Sequence, residues 1–533
     1  MNFIPTRMKA LPIALTLAAA TAFTMSGPAQ AFEKTPQGNV LVFGGRQPVP
    51  NLDPSQKYDW STRMLQQAVY DALVKYEGDP AEIKPWLAKS WEESDGAKTW
   101  TFHLADNAKF HNGDPVDAEA IKYSFTRTLK IGKGPSWMLS SVLAPDGIEV
   151  VDPHTVRFHL KEPYAPFLSF LPWWYIMNPK EVAAHEKDGD MGQAWLTEHA
   201  AGSGPFKIAR WQQGTLYGLA ALDSYWKGWP HKTHPAGVIY KLMRETATQR
   251  AALIRGDADI VEGLSSDDYE VVKSMPGIAI EDHPGMTTFG IMFNTSKGPT
   301  ADINLRKAIA YAMDYDALLK VYNGAATLED SPFPAAIKGH VAVKDIPRKD
   351  MAKAKEYLAK TKYAGGGLTL DYVYVQGLEE ERKIGLILLD DLKELGITVQ
   401  LKPMTWPNMT ALAEKADTSP NMMAVFTTPV ATDPDAVAFQ YAKGSWGKYY
   451  GSHYLDDPDL EKMIVDARQT ADWDKRAPIY AKIQERIVAD QPEVFGMLAN
   501  RRWARRDWVH GFKFSPVHFT SEVDLYQLEI VPK

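Results

Sequence analysis

The stretch from Ile83 to Leu129, IKPWLAKSWEESDGAKTWTFHLADNAKFHNGDPVDAEAIKYSFTRTL, leaves the backbone little freedom. Trp86 and Trp91 anchor two turns, and Trp100, Phe102 and Leu104 then alternate with Thr101, His103 and Ala105. Side chains of a strand point to opposite faces in turn, so this alternation predicts a half-buried strand. The loop His111-Asn112-Gly113-Asp114 follows, and beyond it Asp117 stands where a carboxylate can cap a helix. Ile121, Phe125 and Leu129 recur every four residues behind that cap, and Val116 with Ile121 forms a staple across the helix start. Strand, loop and capped helix in close succession commit this part of the chain to mixed α/β construction.

The rest of the chain uses the same vocabulary. A helical pattern from Ser61 to Val74 puts Met64, Ala68 and Ala72 on one face, with Leu65, Val69 and Leu73 beside them. Thr155 to Leu160 (TVRFHL) echoes Thr99 to Leu104, which predicts a second strand of one sheet, since no longer period continues. Leu368 to Val375 alternates, Ile384, Leu388, Leu392 and Leu395 mark a helix stopped by Gly396, and Val399 and Leu401 resume a strand. This β-α-β order predicts parallel strands. A chain of 533 residues exceeds what one hydrophobic core can organise.

Arg7 and Lys9 precede a mostly apolar run, Leu11 to Met25, and Ala29-Gln30-Ala31 has the small-x-small form of a cleavage site. Residues 1–31 are therefore expected to be a cleaved export signal. Pro12, Thr16 and Thr21 interrupt a run already shorter than the ~20 residues needed to span a bilayer. Losing Arg7 and Lys9 takes the formal charge from -7 to -9, and an acidic body is ill suited to gripping phosphate backbones. The lack of cysteine excludes disulfides, thiolate metal sites and a Cys-linked lipid anchor. The bacterial periplasm is the expected compartment.

Catalytic patterns are not found. Gly444-Ser445-Trp446-Gly447 lacks the G-x-S-x-G spacing, and His231 and His234 in HKTHP lack the H-E-x-x-H arrangement. Pro205 removes an amide donor from the glycine turn Ala201 to Phe206, and no Lys-Ser/Thr completes a phosphate loop. The basic run Arg501 to Arg506 (RRWARR) is expected on a solvated, ion-paired surface. No catalytic residue, metal or cofactor is expected. The rival reading is an exported hydrolase of peptides or glycans.

Several segments together resemble the family 5 extracellular solute-binding proteins, the dipeptide and oligopeptide receptors of ABC importers. They are Ile83 to Leu129, Gly202-Ser203-Gly204-Pro205-Phe206, Asp223 to Pro230 (DSYWKGWP), Gln249 to Ile260 (QRAALIRGDADI), and Phe293-Asn294-Thr295 followed by Ile303 to Asp314. The resemblance implies an α/β, two-lobed periplasmic binding protein of type II, in the large peptide-receptor class, with an extra domain inserted in the first lobe. Residues 32–60, 205–290 and 500–533 would form the core of lobe I, 61–204 the extra domain and 291–499 lobe II. Such a receptor captures a peptide or peptide-like solute in the interlobe cleft and delivers it, as a monomer, to membrane permease subunits of an ABC importer. No nucleic-acid partner is implied. Related receptors take opines or oligosaccharides.

The same resemblance suggests contact residues. Arg46, after the strand-like Asn39 to Phe43 and Gly44-Gly45, is a candidate carboxylate partner, because a guanidinium can make two parallel hydrogen bonds. Trp406 matches an aromatic position that covers bound ligand, and Trp446, between glycines, is a further candidate. Peptide-binding members carry an Asp, in an Ala-Asp-Tyr-like element, that meets the peptide's amino group. The matching stretch is Thr427 to Asp435 (TTPVATDPD), and aligning its Asp-Pro-Asp end puts Val430 at that position, with Thr428 close by. Leaving an ammonium buried and unpaired there would cost about 3–5 kcal/mol. Asp433 is the nearby substitute if the loop bulges, or else a turn-forming residue before Pro434.

Overall fold

The computed structural model describes residues 39–58, 60–518 and 522–531; the expected export signal lies outside them. The fold is organised by one eleven-stranded sheet. At its middle, the long strands Ile278–Phe293 and Glu493–Arg506 run antiparallel, from Ile278 opposite Arg506 to Met292 opposite Glu493. One end of this pair meets Ile260–Val261, and the sheet continues through Val40–Gly45, Gly237–Leu242, Leu216–Ala221 and Phe206–Gln212. The other end meets Met422–Thr427, then Leu368–Val375 and Ile397–Met404. The two long strands thus belong to both lobes. Their register breaks between Pro284 and Thr287, where Pro284 has no N–H to donate to the ladder, and again between Phe289 and Gly290.

Local patterns account for the strands and helices on either side. Val40–Gly45 is almost wholly apolar, and it lies parallel to both Gly237–Leu242 and Ile260–Val261 inside the sheet. The expected β-α-β unit is present: Leu368–Val375 and Ile397–Met404 are parallel, and the intervening helix Glu379–Lys393 buries Ile384, Leu388 and Leu392. Gly396 takes the left-handed conformation, with φ of 67°, where the chain turns back.

The segment Ile83 to Leu129 has its expected strand, loop and capped helix, but Trp91, expected to anchor a turn, lies within the strand Ala88–Ser94, opposite Phe102. Thr99–Leu104 buries Trp100, Phe102 and Leu104 and pairs with Thr155–His159, Phe102 opposite Val156, in a separate four-stranded sheet. Asp117 accepts from the Ala120 amide at 2.9 Å and caps the helix Ala118–Ile131, whose Phe125 stacks on Trp174 with centroids 4.7 Å apart. The helix expected from Ser61 to Val74 is shorter, Trp60–Val69, and Val74–Glu77 is a strand. The reason lies at Asp71. Its buried carboxylate accepts from the Trp86 indole at 2.7 Å, Ser203 at 2.9 Å, Tyr225 at 3.0 Å and Trp226 at 2.9 Å. Four donors fix the chain there, and that outweighs the helical periodicity.

The apolar packing does not respect the sequence divisions. One cluster joins Phe102, Phe125, Phe158 and Trp173 to Val437, Ile464, Tyr480 and Phe495. Among the described residues, no helix is long and apolar enough to cross a membrane.

Candidate functional site

The two sides of the molecule meet along Thr427 to Thr432. Trp173 donates its indole N–H to the Val430 carbonyl at 2.6 Å, and the Thr432 amide points at the Tyr76 hydroxyl at 3.4 Å. Nearby, the Ala165 amide donates to the Arg468 carbonyl at 3.0 Å, and Trp137 stacks on Phe439 with centroids 5.9 Å apart. Thr428 shares a hydroxyl contact of 2.9 Å with Thr287 on the first long strand. Through these contacts the two sides touch directly.

Behind this contact lies a buried group of charges. The helix Trp60–Val69 presents Arg63 and Gln67 one turn apart, on the same face. The Arg63 guanidinium lies 3.6 Å above the Trp173 ring, and its Nε stands 3.3 Å from Glu522 Oε1. Gln67 donates to that same carboxylate oxygen. Arg501, on the second long strand, is 1% exposed, and among the described residues none of its three guanidinium nitrogens has a hydrogen-bond partner. Gly285 makes room for it: a Cβ there would come within 2.9 Å of Arg501 Cγ.

Burial sets the charge states of this group. It pulls Arg501 down to about 10, opposed by Glu522. It pulls His518 down to about 3, helped by Arg63, so the imidazole is neutral at pH 7. Lys75 pairs with Asp524 at 2.7 Å. A cavity of about 30 Å³, room for roughly one water, is lined by Arg63, Gln67, Lys75, Tyr175 and His518. Asp71 also lines it, but its four donors make it part of the wall. On the other side of the cleft a smaller cavity, about 10 Å³, is lined by Thr427, Pro429, Glu329, Tyr441 and Glu493. Burial pushes Glu329 well above the usual carboxylate range and Glu493 up to about 7.

The structure separates the residues singled out from sequence. Val430 and Thr428 stand at the meeting of the two sides. Asp433 does not stand open as a substitute anion: Arg476 grips it with two bonds of 2.6 and 2.8 Å, and it accepts from the Asp435 amide at 2.9 Å, as a turn-forming Asp does. The Arg46 stem packs against Gly263, and its amide donates to Glu262 at 2.6 Å. Trp406 is 42% exposed and sits edge-on to Tyr449, and Trp446 leans on Tyr454. The basic run is not wholly a surface. Arg502 and Arg505 pair with Asp282 and Glu281, but Arg501 points inward. Sequence reasoning missed Arg63, Gln67, Trp173, Arg501, His518 and Glu522. A signal existed for Arg501 alone: it lies two residues before Trp503, on the same face of a strand, and Trp503 is also 1% exposed.

Two lobes threaded by common strands and touching along Thr427 to Thr432 have the build of a two-lobed binding protein. Residues 82–449 match the bacterial extracellular solute-binding proteins, family 5 (middle region), and the chain belongs to that family. It is similar to the probable D,D-dipeptide-binding periplasmic protein DdpA of Escherichia coli (strain K12), 30% identical over 488 residues, covering 90% of this chain and 92% of that one. Among solved structures it is similar to the ABC transporter-associated periplasmic binding protein DppA from Helicobacter pylori in complex with the peptide STSA. The TM-score is 0.79 at 24% identity, over 92% of this chain and 98% of the other. It is also similar to the binding protein AgaA in complex with agropinic acid, from A. tumefaciens R10, with a TM-score of 0.77 at 26% identity, over 93% and 99% of the two chains.

Proposed function

We propose that this chain is the periplasmic receptor of an ABC importer and that its solute is a short peptide or peptide-like molecule. The carrying observation is the contact of Trp173 with Val430 over the buried Arg63, Glu522 and Arg501 group. A dipeptide that enters the cleft must part the contacts of Trp173 with Val430 and of Tyr76 with Thr432. Once inside, it touches both, and a solute that binds the closed form better shifts the population toward it. Permease subunits read that closure, and the solute leaves chemically unchanged. The name of the Escherichia coli relative, a probable D,D-dipeptide-binding protein, supports the peptide class. A second reading, an opine in the same cleft, is favoured by Val430, which offers no carboxylate to an ammonium group, and by the likeness to AgaA.

The test is native mass spectrometry of the mature protein for a retained small molecule, followed by melting curves with free dipeptides, an opine and an oligosaccharide. A true solute at about 100 times its Kd adds about 2.7 kcal/mol of stability. Dipeptides are expected to raise Tm with one-to-one stoichiometry and no product. A rise with the opine or the oligosaccharide alone would replace the peptide reading, and cleavage of any compound would replace the receptor reading.

A further inference from the structure

We propose that the smaller cavity, lined by Thr427 and Pro429, is a binding site for a single divalent cation of the calcium class, held by Glu329 and Glu493. It does not depend on what the cleft captures. Three observations converge on it. The first is Glu329 itself: it is 3% exposed, it lines the cavity, and among the described residues its Oε1 has no hydrogen-bond partner. Its backbone is tied to the second long strand, where the Glu329 amide donates to the Gly496 carbonyl at 3.4 Å. Buried polar atoms are almost always partnered, and a buried carboxylate meets the cost of its charge by keeping a proton or by taking a cation.

The second is a second acid on the same cavity. Glu493 lines it too, and its repulsion adds to the burial that raises Glu329. The charged groups nearby are engaged elsewhere. Arg348 gives its guanidinium to the backbone carbonyls of Pro347 and Glu329, and Asp330 stands 3.5 Å from His340. Tyr441 donates its hydroxyl to Glu493 Oε1 and keeps its own proton, since burial raises it well above the ordinary tyrosine value. His453, stacked on Tyr441 with centroids 5.2 Å apart, is pulled down to about 4 by burial and is neutral at pH 7. Two acids facing one small space are balanced by protons or by one dication.

The third is the donor set. The lining adds the hydroxyls of Thr288 and Thr427, which share one hydrogen bond of 2.8 Å, and the side chain of Gln440, whose amide nitrogen donates to the Ala436 carbonyl at 3.4 Å and whose oxygen has no part in that bond. Carboxylates, hydroxyls and an amide oxygen are the ligands of a hard cation. A space of about 10 Å³ suits a single ion. Calcium accepts an irregular set of oxygens, whereas magnesium demands a near-ideal octahedron and keeps several waters. Gly290 makes the room: a Cβ there would collide with Glu493 Oε2, at the second register break of the long strands. The donors are spread from Thr288 to Glu493, so no short motif announces them.

The experiment needs no solute. The mature protein is stripped with EDTA, exchanged into chelator-free buffer at pH 8, and titrated with CaCl2, MgCl2 and NaCl at constant ionic strength, with Tm and calorimetric binding as readouts. Calcium is expected to bind with one-to-one stoichiometry and to raise Tm more than magnesium or sodium does. It must displace the protons that burial holds on the two carboxylates, so the gain in Tm should shrink from pH 8 to pH 5. Changes to the partners of a metal's ligands alone cost about 10–100-fold in affinity, so Glu329→Gln, which removes a ligand, is expected to weaken calcium binding by about 100-fold or more. Glu493→Gln should do the same. In EDTA neither variant should melt below the parent, because each replaces a buried acid by a neutral group of the same shape. No rise of Tm with calcium at pH 8, or a larger rise with sodium, would overturn the proposal. So would a rise of the same size in the parent and both variants, which marks surface sites instead. The receptor reading stands in each of these cases, since it is tested by solutes and not by ions.

Discussion

Arg476 and Arg501 are buried to nearly the same degree, 4% and 1% exposed, yet the protein treats them in opposite ways. Arg476 holds Asp433 with two bonds and also donates to the Ala467 carbonyl at 2.9 Å and the Tyr480 hydroxyl at 3.0 Å. Burial works against its charge, but Asp433 more than restores it, and its pKa lies above the ordinary arginine value. Arg127 is built the same way, with two bonds of 2.8 and 2.7 Å to Asp53 and a third to the Met191 carbonyl. Arg501 has the burial without the partners, and its pKa falls instead, to about 10. The matched pairs stiffen the scaffold on either side of the cleft. The unmatched one carries the cost of burial without that return.

The largest expected effect breaks the matched side. Arg476→Met strands the Asp433 carboxylate and should cost about 3–5 kcal/mol in urea unfolding. The sign reverses for Arg501→Met, where a cost is removed: the solute-free protein is expected to gain about 1–4 kcal/mol. If both variants lose stability equally, the two arginines do the same job and the contrast is broken.

A smaller effect comes from Glu493, which burial raises from 4.5 to about 7, with the Tyr441 hydroxyl pulling the other way. The unfolded chain releases this proton near 4.5, whereas the folded protein keeps it until about 7. Glu493 therefore contributes its full stability below pH 4.5 and loses it as pH rises through about 7. Between pH 5 and pH 8, Glu493→Gln should lose less Tm than the parent. A fall of the same size in both would remove Glu493 from the account. The smallest effect is at the cap of the Ala118–Ile131 helix: Asp117→Ala should cost about 1 kcal/mol, with solute affinity unchanged.

What could be read from sequence was what neighbours in sequence decide. The alternation of Trp100, Phe102 and Leu104, the Asp117 cap and the stop at Gly396 each depend on a few residues, and each is present as expected. The site depends on distance along the chain. Arg63 meets Glu522 only because the helix Trp60–Val69 and the segment after the second long strand pack together, and no spacing announces that. Composition misled at RRWARR, where a run of charge reads as solvated although the strand turns Arg501 inward on the same face as Trp503. Trp406 and Trp446 show the reverse case: an aromatic ring next to a cleft-forming stretch found its partners in Tyr449 and Tyr454.

The position of Glu493–Arg506 in the sheet also sets an order of events. Ile260–Val261 lies beside this strand on one side and Ile278–Phe293 on the other, so a strand made near the end of synthesis fills the centre of a sheet begun at Val40. A nascent chain that has not reached Arg506 carries two bare edges in the middle of its sheet, the kind that pair with other chains. Folding to completion is thereby deferred until almost the whole polypeptide exists.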